Sequence, residues 1–124
     1  MTTAFKNDLQ LLPEVKTFLG RNVLPAIVGG QEVMAASGAT LATIDPGSGK
    51  KLAEIQDLDA SEVDRAVDVA SAAFPAWAKL SLEERSKLLL RLADAVEKRK
   101  PIIAQIEALD AGKIEAQAQG DVQN

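Results

Sequence analysis

The pattern of apolar and polar positions changes once along the chain. From Pro25 to Gln56 it is rich in Val, Ile, Thr and Gly, and from Asp59 to Asn124 in Ala, Leu, Glu, Lys and Gln. The first stretch predicts short strands and the second helices, with no linker between them. Pro25–Val28, Gly29-Gly30 and Gln31–Met34 read as a tight hairpin, because two glycines tolerate the positive φ of a two-residue turn. Ala39–Ile44 and Lys51–Gln56 read as a second strand pair around the turn Asp45-Pro46-Gly47-Ser48-Gly49. A short helix, Pro13–Leu19, precedes them, with Pro in its first turn and Gly20 just past its end.

Three further helices are predicted, with a fourth beginning after them. Asp59 and Glu62 form a capping pattern for a helix from Ala60 to Phe74, with Val63, Ala66, Val67, Ala70 and Phe74 on one face and Pro75 as its end. Ser81 and Glu84 cap the next, from Leu82 to about Lys98, with Leu88, Leu89, Leu92, Ala95 and Val96 as its buried stripe. Pro101 opens a third that buries Ile102, Ile103, Ile106 and Leu109. The last starts after Gly112 and is still under way at Asn124. The fold class expected is α+β, with short antiparallel strand pairs followed by a helical array.

Composition narrows the chemistry. The 124 residues carry a net charge of −4 with no basic run, which argues against a nucleic-acid surface. No apolar run approaches the roughly 20 residues of a membrane span. The first 20 residues mix Lys6, Asp8, Glu14 and Lys16 into their apolar positions, unlike a signal peptide, so the cytoplasm is the expected location. There is no Cys and no His. The chain by itself therefore has no thiol nucleophile, no thiolate metal ligand and no imidazole base.

Three motifs are better read as structure than as sites. Gly47-Ser48-Gly49-Lys50 resembles the end of a phosphate loop, but Ile44 stands where that loop needs Gly and Lys51 where it needs Ser or Thr, and a strand follows. Gly29-Gly30 is explained by its hairpin turn. Trp77, after Phe74 and Pro75, is expected as an aromatic anchor over the core.

Glu107-Ala108-Leu109-Asp110-Ala111-Gly112-Lys113 is different. It closes a helix, and it places Asp110 where unpaired carbonyls disfavour a negative charge. Asp110 needs a partner: Lys113, the amides of the next helix, or a bound cation. Glu107 and Asp110, three apart, lie on one side of the helix. On spacing alone the favoured reading is that Asp110 caps the following helix and pairs with Lys113.

These segments together resemble one family. Thr43 to Gly49, Asp59 to Val67, Ala73 to Trp77, Arg85 to Asp94 and Glu107 to Lys113 are similar, in order and spacing, to the N-terminal part of NAD(P)-dependent aldehyde dehydrogenases. The resemblance covers roughly Pro25 to Asn124, so residues 25–124 are expected to be an incomplete N-terminal part of the coenzyme-binding domain and residues 1–24 an extension. It implies a segment of an aldehyde dehydrogenase-like α/β fold that lacks the Rossmann-like parallel sheet. Ala111, Ile114 and Asp45 stand where the family often has Asn, Pro and Asn.

The resemblance implies oxidation of a small-molecule aldehyde to a carboxylic acid with NAD or NADP, in an enzyme that is a homodimer or homotetramer. It carries no catalytic and no coenzyme-binding residue onto this chain, because the Cys nucleophile, the Glu base, the oxyanion Asn and the Gly-rich coenzyme turn all lie beyond the matched region. It does imply a possible Na⁺ or K⁺ site made by the main-chain carbonyl of Thr43 or Ile44 and by Asp110, an oxygen-only set suited to a hard cation. The expectation is a truncated enzyme segment, inactive by itself and with an exposed apolar surface. The alternatives are a stand-alone helical interaction module and a remnant without activity.

Overall fold

The computed structural model describes residues 10–123. The element order is α1 (Pro13–Leu19), β1 (Ala26–Val28), β2 (Gln31–Val33), β3 (Thr40–Ile44), β4 (Lys51–Gln56), α2 (Ala60–Lys79), α3 (Leu82–Ala111) and α4 (Glu115–Gln123). The readings made for residues 1–9 and for Asn124 lie outside the described residues.

The strands form two separate antiparallel hairpins. In the first, Val28 pairs with Gln31, and Gly29 and Gly30 have φ of 59° and 79°. Two positive φ angles are what a two-residue turn of this hand requires, and only glycine adopts them without strain. In the second hairpin Thr43 faces Ala53, and the register shifts between Thr43 and Ile44. Leu24 runs parallel beside Ile55, its N–H donating to the Glu54 carbonyl at 2.7 Å. That contact covers part of an edge that β4 would otherwise leave open.

Both long helices start as their capping residues predict. The Asp59 carboxylate accepts from Glu62 N, and the Glu62 carboxylate accepts from Asp59 N. Ser81 and Glu84 do the same for α3. Neither helix ends where the sequence suggests. Pro75 lies inside α2, which continues to Lys79, and Pro101 lies inside α3. The two helices expected on either side of Pro101 are one helix of 30 residues. A proline removes only its own N–H bond and crowds one carbonyl a turn earlier. The strong helix formers after each proline donate normally, so the helix resumes. For α3 the second half is also anchored by packing: Ala104, Gln105 and Ala108 are buried.

The core is small. Its buried apolar members among the described residues are Val15, Ala35, Ala53, Ala104, Ala108 and Ala118. Ala104, Ala108 and Ala118 bring α3 and α4 together, with Val122 packed beside them. Several positions expected inside are not. Leu89 and Leu92 of the expected buried stripe are 56% and 60% exposed, and Trp77 is 37% exposed on α2 rather than anchored over the core. Among the described residues no opposing element covers these faces, so helical periodicity located them correctly but not their burial.

Gln105 is the buried polar residue that ties the chain's start to α3. Its Oε1 accepts from Leu12 N at 2.8 Å, and its Nε2 donates to the Gln10 carbonyl. Gln105→Leu keeps the volume and removes both bonds, leaving a part-buried amide without a partner. We expect a loss of about 1–3 kcal/mol in stability, with faster amide exchange at Leu12, read by denaturant unfolding and hydrogen exchange.

Candidate functional site

The corner that the sequence singled out is built by the end of α3, the β3–β4 turn and the start of α4. Gly112 terminates α3 with φ of 68°, a left-handed conformation that favours glycine. Space matters as much as φ here. A Cβ on Gly112 would lie 2.8 Å from Pro46 Cγ. The helix end and the turn are therefore packed face to face, and Gly112 is the residue that lets them approach.

The turn itself is held by Asp45. Its Oδ1 accepts from Gly47 N at 2.8 Å and its Oδ2 from Ser48 Oγ at 2.6 Å. The Ser48 hydroxyl first, then the Gly47 amide, hold its carboxyl below the ordinary range. These bonds use the oxygens of Asp45 to satisfy the backbone of its own turn. The Gly47–Lys50 segment is a turn leading into β4, as its missing phosphate-loop residues imply.

Asp110 Oδ1 accepts from Thr43 Oγ at 2.7 Å. Thr43 and Asp110 are thus brought together, while Ile44, beyond the register shift, is 47% exposed. Lys113 does not pair with Asp110. Its ammonium donates to Glu107 Oε1 at 2.5 Å and Asp121 Oδ2 at 2.8 Å. The capping reading of Asp110 is corrected accordingly. Gly112 turns the chain so that Lys113 points to the side carrying Glu107 and α4, and Asp110 is left facing the strand. The Asp121 and Glu107 carboxylates raise the Lys113 ammonium above its ordinary value, so it stays charged across the neutral range.

Beside Asp110 lies an open groove of about 480 Å³. Phe18, Leu24, Leu52, Ile55, Ile103 and Ile106 line it, and Thr43, Glu107 and Asp110 supply its polar atoms. Among the described residues no group of three or more acidic, His or Cys side chains is placed to hold a metal ion. The oxygen atoms of Thr43 and Asp110 suit a hard cation in kind. They are a partial set, and one Asp110 oxygen already accepts from Thr43.

Sequence reasoning missed two polar side chains that position this architecture. Glu62 is buried, and besides its capping bond its Oε1 accepts from Ala36 N at 2.8 Å, tying α2 to the segment after β2. Gln105 is the other. The signal for Gln105 is a polar residue set directly between Ile102-Ile103-Ala104 and Ile106. For Glu62 no signal distinguishes a capping glutamate from one that also reaches a neighbouring loop.

With this geometry in place, comparison with known proteins gives the class. The model of the Aldehyde dehydrogenase family matches residues 33–124, and the chain belongs to that family. It is 45% identical over 89 residues to the mitochondrial benzaldehyde dehydrogenase of Antirrhinum majus, a match covering 70% of this chain and 17% of that protein. Among solved structures, the NAD-dependent aldehyde dehydrogenase of Sinorhizobium meliloti superposes with a TM-score of 0.78 at 34% identity, covering 90% of this chain and 22% of that one. The NAD⁺ complex of a Bacillus cereus aldehyde dehydrogenase gives 0.75 at 34% identity, covering 81% of this chain and 21% of that one. The fold is that of the corresponding part of these enzymes: antiparallel strand pairs followed by helices, without the parallel sheet. The chain spans about a fifth of the length of these proteins. No described helix is long and apolar enough to cross a membrane.

The fit of Gly112 against Pro46 gives a sharp test. Gly112→Ala is expected to cost about 2 kcal/mol or more, from left-handed strain of roughly 1 kcal/mol plus the contact with Pro46. Adding Pro46→Ala should relieve the second part and leave the first. Additive effects in the double-mutant cycle, read by thermal or urea unfolding, would show that the two residues do not meet.

Proposed function

We propose that this chain serves as the N-terminal part of an enzyme that oxidises an aldehyde to a carboxylic acid with NAD or NADP. The family match over residues 33–124 carries the reading. In it, residues 25–124 begin the coenzyme-binding domain and residues 1–24 are an extension; the complete enzyme is a homodimer or homotetramer, and its location is the cytoplasm. The role of this segment is support. Its sequence has no Cys for nucleophilic attack and no His, so the reacting groups come from elsewhere in the enzyme. What the segment's own residues do is fix a corner: Asp110 holds Thr43, Gly112 receives Pro46, and Lys113 fastens α4 to α3.

The test is to place residues 1–124 in the Sinorhizobium meliloti enzyme in place of its matching segment. The chimera is expected to reduce NAD⁺ in the presence of an aldehyde. The 124-residue chain alone should fall short by at least about a thousandfold, the scale set by loss of a nucleophile. A folded but inactive chimera, or an active isolated chain, would overturn the reading.

We also propose that, in the complete enzyme, the carbonyl of Thr43 or Ile44 and the Asp110 carboxylate contribute to a site for Na⁺ or K⁺. The support is the oxygen chemistry of the corner and the need of a carboxylate at a helix C-terminus for positive charge. The chimera should melt higher in KCl than in choline chloride at equal ionic strength, and Asp110→Asn should remove the difference. Equal responses of the two proteins count against the site.

A further inference from the structure

Three carboxylates stand around Lys113, and its ammonium takes two of them. It donates to Glu107 Oε1 at 2.5 Å and to Asp121 Oδ2 at 2.8 Å. The third, Asp110, follows Glu107 by one helical turn on the same side of α3, and both open on the same groove. Asp110 receives the neutral hydroxyl of Thr43. The ammonium is thus held one turn from the carboxylate that sits at the negative end of the helix.

Local electrostatics alone would place it on Asp110, where the last carbonyls of α3 and the carboxylate both attract a cation. What holds it back is Asp121. That residue lies on α4, which packs on α3 through Ala118 against Ala104 and Ala108. Docking of α4 therefore gives Lys113 a pair of carboxylates, one from each helix. Without Asp121, the pair left to it is Glu107 and Asp110. A lysine has a flexible stem and three donors, so a step of one helical turn costs it little.

We propose that Asp121 is a positioning residue: carried by the docked α4, it holds the Lys113 ammonium off Asp110 and so keeps that carboxylate open to Na⁺ or K⁺. The inference rests on the cation reading above and adds to it a competitor built into the chain. An ammonium carries the same single charge as the ion and seeks the same oxygen atoms. Occupancy of the site and docking of α4 are then coupled, and the coupling is reciprocal: the docked helix favours the ion, and the ion favours the docked helix.

The test uses the chimera with the Sinorhizobium meliloti enzyme. Its melting temperature is followed as KCl replaces choline chloride at constant ionic strength, which gives a half-saturating KCl concentration for each variant. Asp121→Asn is expected to raise that concentration by at least about tenfold, the scale of losing a carboxylate to one charged hydrogen bond. Lys113→Met breaks the same ion pairs but removes the competitor, so it should leave the concentration no higher than in wild type, alone or added to Asp121→Asn. A clamp with only a structural role would make the two single variants respond alike. Glu115→Gln removes one negative charge from the same helix without freeing Lys113 and should behave like wild type. A crystal structure of the Asp121→Asn chimera in choline chloride gives a readout without the ion: Lys113 Nζ is expected within hydrogen-bond distance of Asp110. A lysine found elsewhere overturns the proposal, as does a rise shared by Lys113→Met or Glu115→Gln. A wild-type chimera indifferent to KCl removes the cation reading and this proposal with it. A wild-type response that Asp121→Asn leaves intact removes this proposal alone.

Discussion

The close approach of Gly112 to Pro46 is the contact on which the arrangement of this chain depends. It joins two parts that the sequence separates widely, a turn between strands and the end of a 30-residue helix. Glycine is needed there twice over, for a left-handed φ and for the absence of a Cβ. Once the two surfaces meet, Thr43 lies within hydrogen-bond reach of Asp110, and Lys113 is turned away toward Glu107 and Asp121. Past this glycine the lysine meets two of the three nearby carboxylates, Glu107 and Asp121, and not Asp110. The carboxylate at the helix end receives a neutral hydroxyl instead, a weaker answer to its unfavourable position than a positive charge would be.

The helix α3 acts as the mast of the structure. Its last third holds Leu12 through Gln105 and packs α4 through Ala104 and Ala108, and its end receives the β3–β4 turn. Alanine packing brings helices close but buries little apolar area per residue, on the order of one methyl group each, or about 0.8 kcal/mol. Larger side chains such as Phe74, Leu82 and Leu92 remain at the surface. The segment is thus organised by capping boxes, turns and a few polar ties more than by a large apolar interior.

Local chemistry made much of this legible in the sequence. The glycine pair, the Asp45 turn and the two capping boxes each concern residues within a few positions of one another, and each formed as its pattern implies. The prolines misled because their effect is also local but incomplete: Pro75 and Pro101 each remove one bond, and the flanking residues outweigh that loss. What the sequence could not show was where distant parts meet. The choice of partner for Asp110 depends on the direction in which Gly112 sends the chain, and the burial of Gln105 depends on α1 arriving from more than ninety positions away. The stripe of Leu89 and Leu92 was correctly phased yet uncovered, because periodicity reports a face and not what lies against it.

The span of these ties has a consequence for how the chain reaches its structure. The hairpins, turns and capping boxes close loops of a few residues, whereas the Thr43–Asp110 bond closes a separation of 67 and the Leu12–Gln105 bond one of 93. Loop-closure entropy rises with the logarithm of length, and long-range contacts slow the search for the native arrangement. On that scaling the helices and hairpins close their loops at the least entropic cost, while the Asp110 corner and, still more, the Leu12–Gln105 tie demand that distant parts of the chain be brought together.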